Sequence, residues 1–218
     1  MVLSFFRGGD DPLEAVDLEI TTMLGDCRHS FDLGVSTLMS GGDDIDPVGV
    51  EIRSTDARIN AAEETVRRDL IVHSAVHGGG DAASVMSSVL AVKKLERVGD
   101  QAKNIFDLAA EGVRFGGAPD ADELRELANE VSNRLGEAVA LVSPDVPDND
   151  VQAFVRRCTE RMDDLDRRVN QLIHSDEVAR RAVPRAMFFR YLKRILANVS
   201  GAVEVLLQPV EPATDRDE

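Results

Sequence analysis

Apolar residues recur three or four positions apart over long stretches of the chain, and runs of β-branched residues are few. That spacing collects the apolar side chains on one face of an α-helix, so the pattern predicts an all-α protein. Glycine pairs or triplets and prolines interrupt the pattern, and we place helix ends at these interruptions. We predict six helices, at residues 12–40, 46–77, 81–114, 120–143, 148–175 and 178–208.

The six predicted helices fall into two sets of three with similar lengths, which indicates one three-helix unit used twice. Long helices joined by short connections favour elongated antiparallel bundles. We therefore predict two tandem three-helix bundles, residues 10–117 and 118–208, followed by a flexible acidic tail at 209–218. Three aspartates stand at predicted helix starts, where a short carboxylate can accept from free main-chain N–H groups. These expected N-caps are Asp81, Asp120 and Asp148.

The charge of the chain narrows its possible partners. Its 218 residues include 25 Lys plus Arg and 40 Asp plus Glu, a formal net charge of −15. Such a balance argues against general binding to nucleic acids or to anionic membranes. Only four basic residues are lysines, and Asp outnumbers Glu, a composition typical of halophilic proteins. No window approaches the roughly 18 apolar residues of a membrane span, so we expect a cytoplasmic protein.

Basic residues concentrate in one segment of the second half. From Arg156 to Arg194 there are eleven basic and six acidic residues, a local balance of 11 − 6 = +5. Most of these arginines are expected to pair with acids one helical turn away, as in Asp163 with Arg167 and Asp164 with Arg168. Direct DNA binding would have to use this segment alone and is the least favoured function.

Four side chains on the second and third helices are candidate metal ligands. Glu96 and Asp100 are four residues apart, so their carboxylates lie one above the other on the same helical face. Asp56 and Asn60 have the same spacing on the preceding helix. If these helices are antiparallel neighbours, the four side chains surround a site of oxygen ligands for a hard cation such as iron, manganese, magnesium or calcium. The alternative is a solvated acidic face, which a chain so rich in carboxylates forms by chance.

The stretch from Lys94 to Ile105, KLERVGDQAKNI, resembles the L-E-R-[IV]-G-D-x-x-x-N-I segment of the PhoU family of phosphate-uptake regulators. Asp56 to Asn60, with Glu63 and Glu64, resembles that family's D-x-x-x-[ND] segment. The resemblance implies two three-helix bundles and a non-catalytic cytoplasmic regulator, with a homodimer as one option for its assembly. It implies iron or zinc on Asp56, Asn60, Glu96 and Asp100. The implied partners are the ATPase of a phosphate ABC transporter, which would hold the protein at the membrane periphery, and a phosphate-sensing kinase.

The second repeat departs from the family pattern. Aligning its last helix with the third helix puts Lys193 where Glu96 stands and Ala197 where Asp100 stands, so this half has lost its ligands. We predict that the Lys193 ammonium replaces the missing metal between Glu160 and Asp164. Asp166 and Asn170 offer an equally spaced alternative register. One metal site per chain is the most that we expect.

Two other functions stay open at this point. One is a metal-free helical accessory module of an ion transporter or channel. Another is a carboxylate-bridged dimetal oxidase, which the absence of any Glu-x-x-His pair disfavours. His73 and His77 have a spacing compatible with zinc, but we favour an interaction with the helix C-terminal dipole for both. No nucleophile elbow, P-loop or dinucleotide fingerprint supports an enzyme.

Overall fold

A computed structural model describes residues 12–40, 45–77, 82–142 and 146–207. These residues form six α-helices and no strand, as the hydrophobic pattern predicts. The helices are α1 (Pro12–Ser40), α2 (Asp46–His77), α3 (Ala82–Ala110), α4 (Ala121–Leu141), α5 (Asp148–Ile173) and α6 (Ala179–Leu207). The predicted tail at 209–218 and the expected cap Asp81 lie outside the described residues.

The two repeats share one hydrophobic core. Helices α1, α3, α4 and α6 pack against one another across the repeats, while α2 contacts α1 and α3, and α5 packs mainly on α6. Phe31 and Leu95 of the first repeat join Phe154 and Leu192 of the second in a continuous buried cluster. Burial of this apolar surface, at about 25 cal/mol per Å², is the main force that holds the repeats together.

Helix α3 ends at Ala110, four residues before the predicted end at 114. Gly112 adopts a positive φ of 84°, which glycine tolerates and which ends an α-helix. The Arg114 guanidinium then donates to the main-chain oxygens of Ala109 and Val113, at 2.6 and 2.7 Å. Because those donors satisfy carbonyls that a longer helix would have used, the chain leaves the helix early.

The linker between the repeats is fixed to both of them. The Phe115 N–H donates to the Leu38 oxygen at 2.9 Å, and the buried Phe115 ring meets Phe188 edge-on, with centroids 5.5 Å apart. A Cβ on Gly116 would lie 1.8 Å from the Met39 oxygen, so only glycine allows this close approach. The linker is therefore part of the packed structure.

The predicted aspartate caps are not formed at the two helix starts that the structure describes. Asp120 is the N-cap residue of α4, but its side chain makes no capping hydrogen bond. Its carboxylate instead accepts from Arg185 of α6. Asp148 lies in the first turn of α5, and Pro147 takes the N-cap position. In the first case, a paired guanidinium is a stronger donor to the carboxylate than a main-chain N–H group.

Candidate metal site

Two of the four predicted ligands meet at one lysine. The Lys103 Nζ atom lies 2.8 Å from Asp56 Oδ2 on α2 and 3.5 Å from Asp100 Oδ1 on its own helix. The Asp56 side chain is only 17% exposed. Burial disfavours the charged form of Lys103, but the hydrogen bonds and charges of Asp56 and Asp100 outweigh it and raise the Lys103 pKa. An ammonium group thus occupies the space between the two carboxylates.

Glu96 lies one turn before Asp100 and has a different cation beside it. Its Oε2 atom is 3.0 Å from the Lys93 Nζ atom. That oxygen is buried, yet the contact does not have the geometry of a hydrogen bond. The Glu96 side chain is 16% exposed, whereas Lys93 is 46% exposed and can move into solvent. Glu96 is therefore the predicted ligand with the least satisfied oxygen, which is where a cation gains most.

On α2 the buried carboxylate is Glu63, whereas Asn60 is exposed. Glu63 follows Asp56 by seven residues, two helical turns, and its Oε1 atom accepts from Arg67 at 3.0 Å. The sequence contains a signal for the burial of Asp56 and Glu63. Ile59 and Val66 lie on the buried face, and each follows one of these two acids by three residues, which places it on nearly the same face. Glu63 is not among the four predicted ligands.

The donors suit a hard cation only in part. Carboxylate and amide oxygens are the ligands that iron, manganese and magnesium accept. In the part of the chain that the structure describes, no group of three or more His, Cys, Asp or Glu side chains converges in a way that could hold a metal ion. An ion at Asp56 and Asp100 would have to displace the Lys103 ammonium. The residues therefore fit a single competing cation better than a cluster of several metals.

In the second repeat the prediction that Lys193 lies between Glu160 and Asp164 is wrong. Lys193 donates to Asp166, the alternative register. Glu160 is exposed. Asp164 has three arginine partners, and the hydrogen bond from Arg168 is the main cause of its lowered pKa. Because those guanidinium groups satisfy Asp164, no space is left there for an ammonium.

Six of the eleven basic residues between Arg156 and Arg194 form ion pairs within the described part of the fold. Arg168 bonds to Asp164 at 2.8 Å, as predicted. Arg167 also bonds to Asp164, at 3.1 Å, instead of to the expected Asp163. The pair at i+3 replaces the pair at i+4, and both spacings bring side chains together on a helix surface.

The structure thus defines a class of protein: an all-α chain of two three-helix repeats on one core, with carboxylates and an ammonium facing each other on α2 and α3. No helix within the described residues combines the length and apolar character needed to cross a membrane.

Comparison with known proteins identifies the fold. The PhoU domain model matches residues 20–109, which span nearly all of the first repeat and contain the motifs described above. The crystal structure of PhoU from Pseudomonas aeruginosa is similar to 89% of this chain and 96% of that chain, with a TM-score of 0.66 and 21% sequence identity. A search of curated proteins gave no match. Residues 20–109 therefore match the PhoU domain, and both repeats together have the fold of the Pseudomonas aeruginosa PhoU structure.

Proposed function

We propose that the protein is a non-catalytic, cytoplasmic regulator of phosphate uptake and phosphate signalling that acts by contact with other proteins. The observation that supports this most is the PhoU domain match over residues 20–109. The similarity to PhoU from Pseudomonas aeruginosa supports the same architecture through the second repeat. The proposed partners are the ATPase of a phosphate ABC transporter and a phosphate-sensing kinase.

Exposed apolar side chains offer a surface for such contacts. Ile71 and Val76 near the end of α2 and Met86 near the start of α3 are more than half exposed. The second repeat has Val178 just before α6 and Val183 in its first turns, also more than half exposed. Groups of exposed apolar residues mark interaction sites more often than isolated ones do. We propose that the end formed by α2 and α3 contacts the partner, with the transporter holding the protein at the membrane periphery. The two valines at the start of α6 lie beside the linker, at the other end of α3, and form a separate patch.

A binding and uptake experiment tests this function. The full chain would be titrated with the purified transporter ATPase, and phosphate uptake would be measured in a deletion strain carrying each variant. We expect Ile71→Asp plus Val76→Asp to weaken ATPase binding about tenfold or more, because removal of central apolar contacts costs more than 1 kcal/mol each. Leu18→Asp is the control, since Leu18 is 69% exposed on a different helix.

The outcomes separate the function from the surface. If the deletion leaves phosphate uptake and phosphate-responsive gene expression unchanged, the regulatory function is wrong. If uptake changes but Leu18→Asp weakens binding as much as the paired change in α2, the function stands and the proposed contact surface is wrong.

We also propose that the acidic face binds one divalent cation, which would draw together the carboxylates of Asp56, Glu96 and Asp100, with Asn60 at the exposed edge; in the structure these three carboxylates do not converge. The buried, unbonded Glu96 oxygen supports this, and the Lys103 ammonium opposes it. The resemblance implies iron or zinc, and the oxygen donors favour iron of the two. A bound cation would hold α2 to α3 by neutralising their carboxylates. Metal analysis of the wild type beside Glu96→Gln plus Asp100→Asn tests the site, and equal metal content in both would refute it.

A further inference from the structure

A cationic cavity lies where the two repeats join. It encloses about 550 Å³ between the linker and the first turns of α6. Its charged lining residues are Arg114, Arg180, Arg181, Arg185 and Glu111, a formal charge of 4 − 1 = +3, which the Asp120 carboxylate paired with Arg185 reduces to +2. This is a positive site in a chain whose net charge is −15. The negative charge of the whole chain would not attract an anion over long distances, so the affinity for an anion at this cavity would come from short-range contacts with the arginines.

Two of the four arginines are held in place by the fold. Arg185 is buried and forms a bidentate pair with Asp120, with both N–O distances 2.7 Å. Its Nη1 atom donates to the Arg181 oxygen at 3.1 Å, and its guanidinium lies 5.5 Å from the Phe115 ring centroid. Arg114 is held by the two carbonyls at the end of α3. Both guanidinium groups are therefore oriented before any ligand arrives, which reduces the entropy lost on binding.

The other two arginines have free donors. Arg180 and Arg181 are exposed in the first turn of α6, and neither guanidinium forms an ion pair or hydrogen bond with a described residue. Arg181 is near enough to Asp120 to help lower the Asp120 pKa, but the hydrogen bonds to that carboxylate come from Arg185. The positive end of the α6 dipole adds to the field at this point. Unpaired guanidinium groups beside a cavity are available for an anion.

We propose that this junction cavity binds an anion with two or more adjacent phosphoryl groups. The guanidinium fork matches phosphoryl oxygens in pairs, and the two free forks, those of Arg180 and Arg181, match two phosphoryl groups. The volume lies within the range of about 300–1,000 Å³ that small-molecule sites have, and it far exceeds that of a single phosphate ion. Nothing in this site depends on the carboxylates of α2 and α3 or on a phosphate-regulatory role. Failure of the proposed function would leave it untouched.

Isothermal titration calorimetry on the full chain tests the cavity. Inorganic pyrophosphate, ATP and inorganic phosphate would be titrated at about 0.1 M KCl, where the Debye length is about 10 Å. We expect one site per chain, with pyrophosphate or ATP binding at least about tenfold more tightly than phosphate, because a single tetrahedron engages fewer of the forks. Inorganic tripolyphosphate, which has as many phosphoryl groups as ATP, would be titrated beside them. ATP binding more tightly than tripolyphosphate identifies a nucleotide ligand, and equal affinity identifies an inorganic or generic polyphosphate. Both results support the site.

Arg180→Gln plus Arg181→Gln is the decisive variant, and Arg190→Gln plus Arg194→Gln is its matched control. The control removes the same charge from two exposed positions further along α6 that line no part of this cavity. We expect the first variant to lose about tenfold or more in affinity and the control to stay within about threefold of the wild type. Circular dichroism would verify that both are folded. The proposal is wrong if the wild type binds neither diphosphate compound, if phosphate binds as tightly as both, or if the control loses as much affinity as the decisive variant.

Discussion

Replacement of Lys103 by methionine tests whether an internal ammonium and a metal ion compete for the same carboxylates. The change keeps most of the apolar stem and removes the charge that lies 2.8 Å from Asp56 and 3.5 Å from Asp100. Asp56 would then face Asp100 with no cation between them. We expect the variant to be less stable than the wild type in the presence of a chelator, and more responsive to a divalent cation.

The magnitude follows from the exposure of the pair. Lys103 is 31% and Asp56 17% exposed, so the interaction is screened by solvent only in part. At an effective dielectric constant of about 20, the gross attraction at this separation is about 6 kcal/mol, but most of it is offset by desolvation. Net values for hydrogen bonds to charged groups are about 1.5–3 kcal/mol. We therefore expect a loss of about 2 kcal/mol, or about 4–8 °C in Tm for a chain of this size.

The assay is thermal unfolding, followed by circular dichroism, with EDTA or with Mn²⁺ or Fe²⁺. A cation at about 100 times its Kd stabilises the state that binds it by about 2.7 kcal/mol, enough to restore the Lys103→Met variant to the stability of the wild type. Arg97→Met is the control, because it removes one positive charge from an exposed position of the same helix. Equal destabilisation in both variants would refute the importance of the ion pair. No greater metal response in Lys103→Met than in the wild type would refute competition at this site.

Three further predictions concern the junction and the core. Gly116→Ala should destabilise the fold by about 1–3 kcal/mol in urea unfolding, since its Cβ would lie 1.8 Å from a main-chain oxygen, whereas Gly117→Ala, in open space, should not. Arg185 lowers the Asp120 pKa, so Asp120→Asn should lower the free energy of unfolding at pH 7 by about 1–3 kcal/mol. The difference in stability between the wild type and this variant should shrink as the pH falls below the ordinary aspartate pKa of about 3.9, and it should vanish below the pKa of Asp120 in the folded chain. A difference that persists unchanged at pH 2 would contradict this. Both cysteines are buried and free, and burial raises the Cys158 pKa to about 12. A thiol reagent at pH 8 should therefore modify neither cysteine in the folded chain and both after denaturation. Rapid labelling of the folded chain would contradict this and show that the core opens.

The helices could be predicted because the hydrophobic spacing that specifies a helix recurs in every helical turn. Apolar residues at helical spacing and glycine or proline interruptions bounded α1 and α2 at the residues where the structure has them. The predicted end of α3 is wrong because two local features decide it together: the positive φ of Gly112 and the hydrogen bonds of the Arg114 guanidinium to the last carbonyls. Neither feature has a periodic signal in the sequence.

Side-chain partners across helices were harder to predict than the helices. The spacing places Asp56 and Asn60 on one face of α2, but the two positions still differ by about 40° around the helix axis. That difference leaves Asp56 half-buried and Asn60 exposed. The apolar residues before and after show that Glu63 lies at the buried edge and Asn60 outside it. The sequence predicts that Asp120 caps its own helix, because capping is the usual role of an aspartate just before a helix. Its actual partner, Arg185, is 65 residues away in the sequence, and a pattern of neighbouring residues cannot predict a pair so far apart.

In each repeat a lysine of the last helix pairs with a carboxylate of the preceding helix, but the two lysines stand at different positions of the repeat. In the first repeat the ammonium is Lys103, seven residues after Glu96, and it reaches Asp56 on the outer helix α2. In the second repeat Lys193 takes the position equivalent to Glu96, and it reaches Asp166 on the outer helix α5. Seven residues are two helical turns, so both lysines lie on the same face of their helices, about 10 Å apart in height. An outer-helix carboxylate paired with an inner-helix ammonium is therefore common to both repeats, although the residues that form it are not equivalent. This explains why alignment of the repeats located the cation of the second repeat but not its partner: the alignment preserves the face of the inner helix, whereas the height of the carboxylate on the outer helix varies independently.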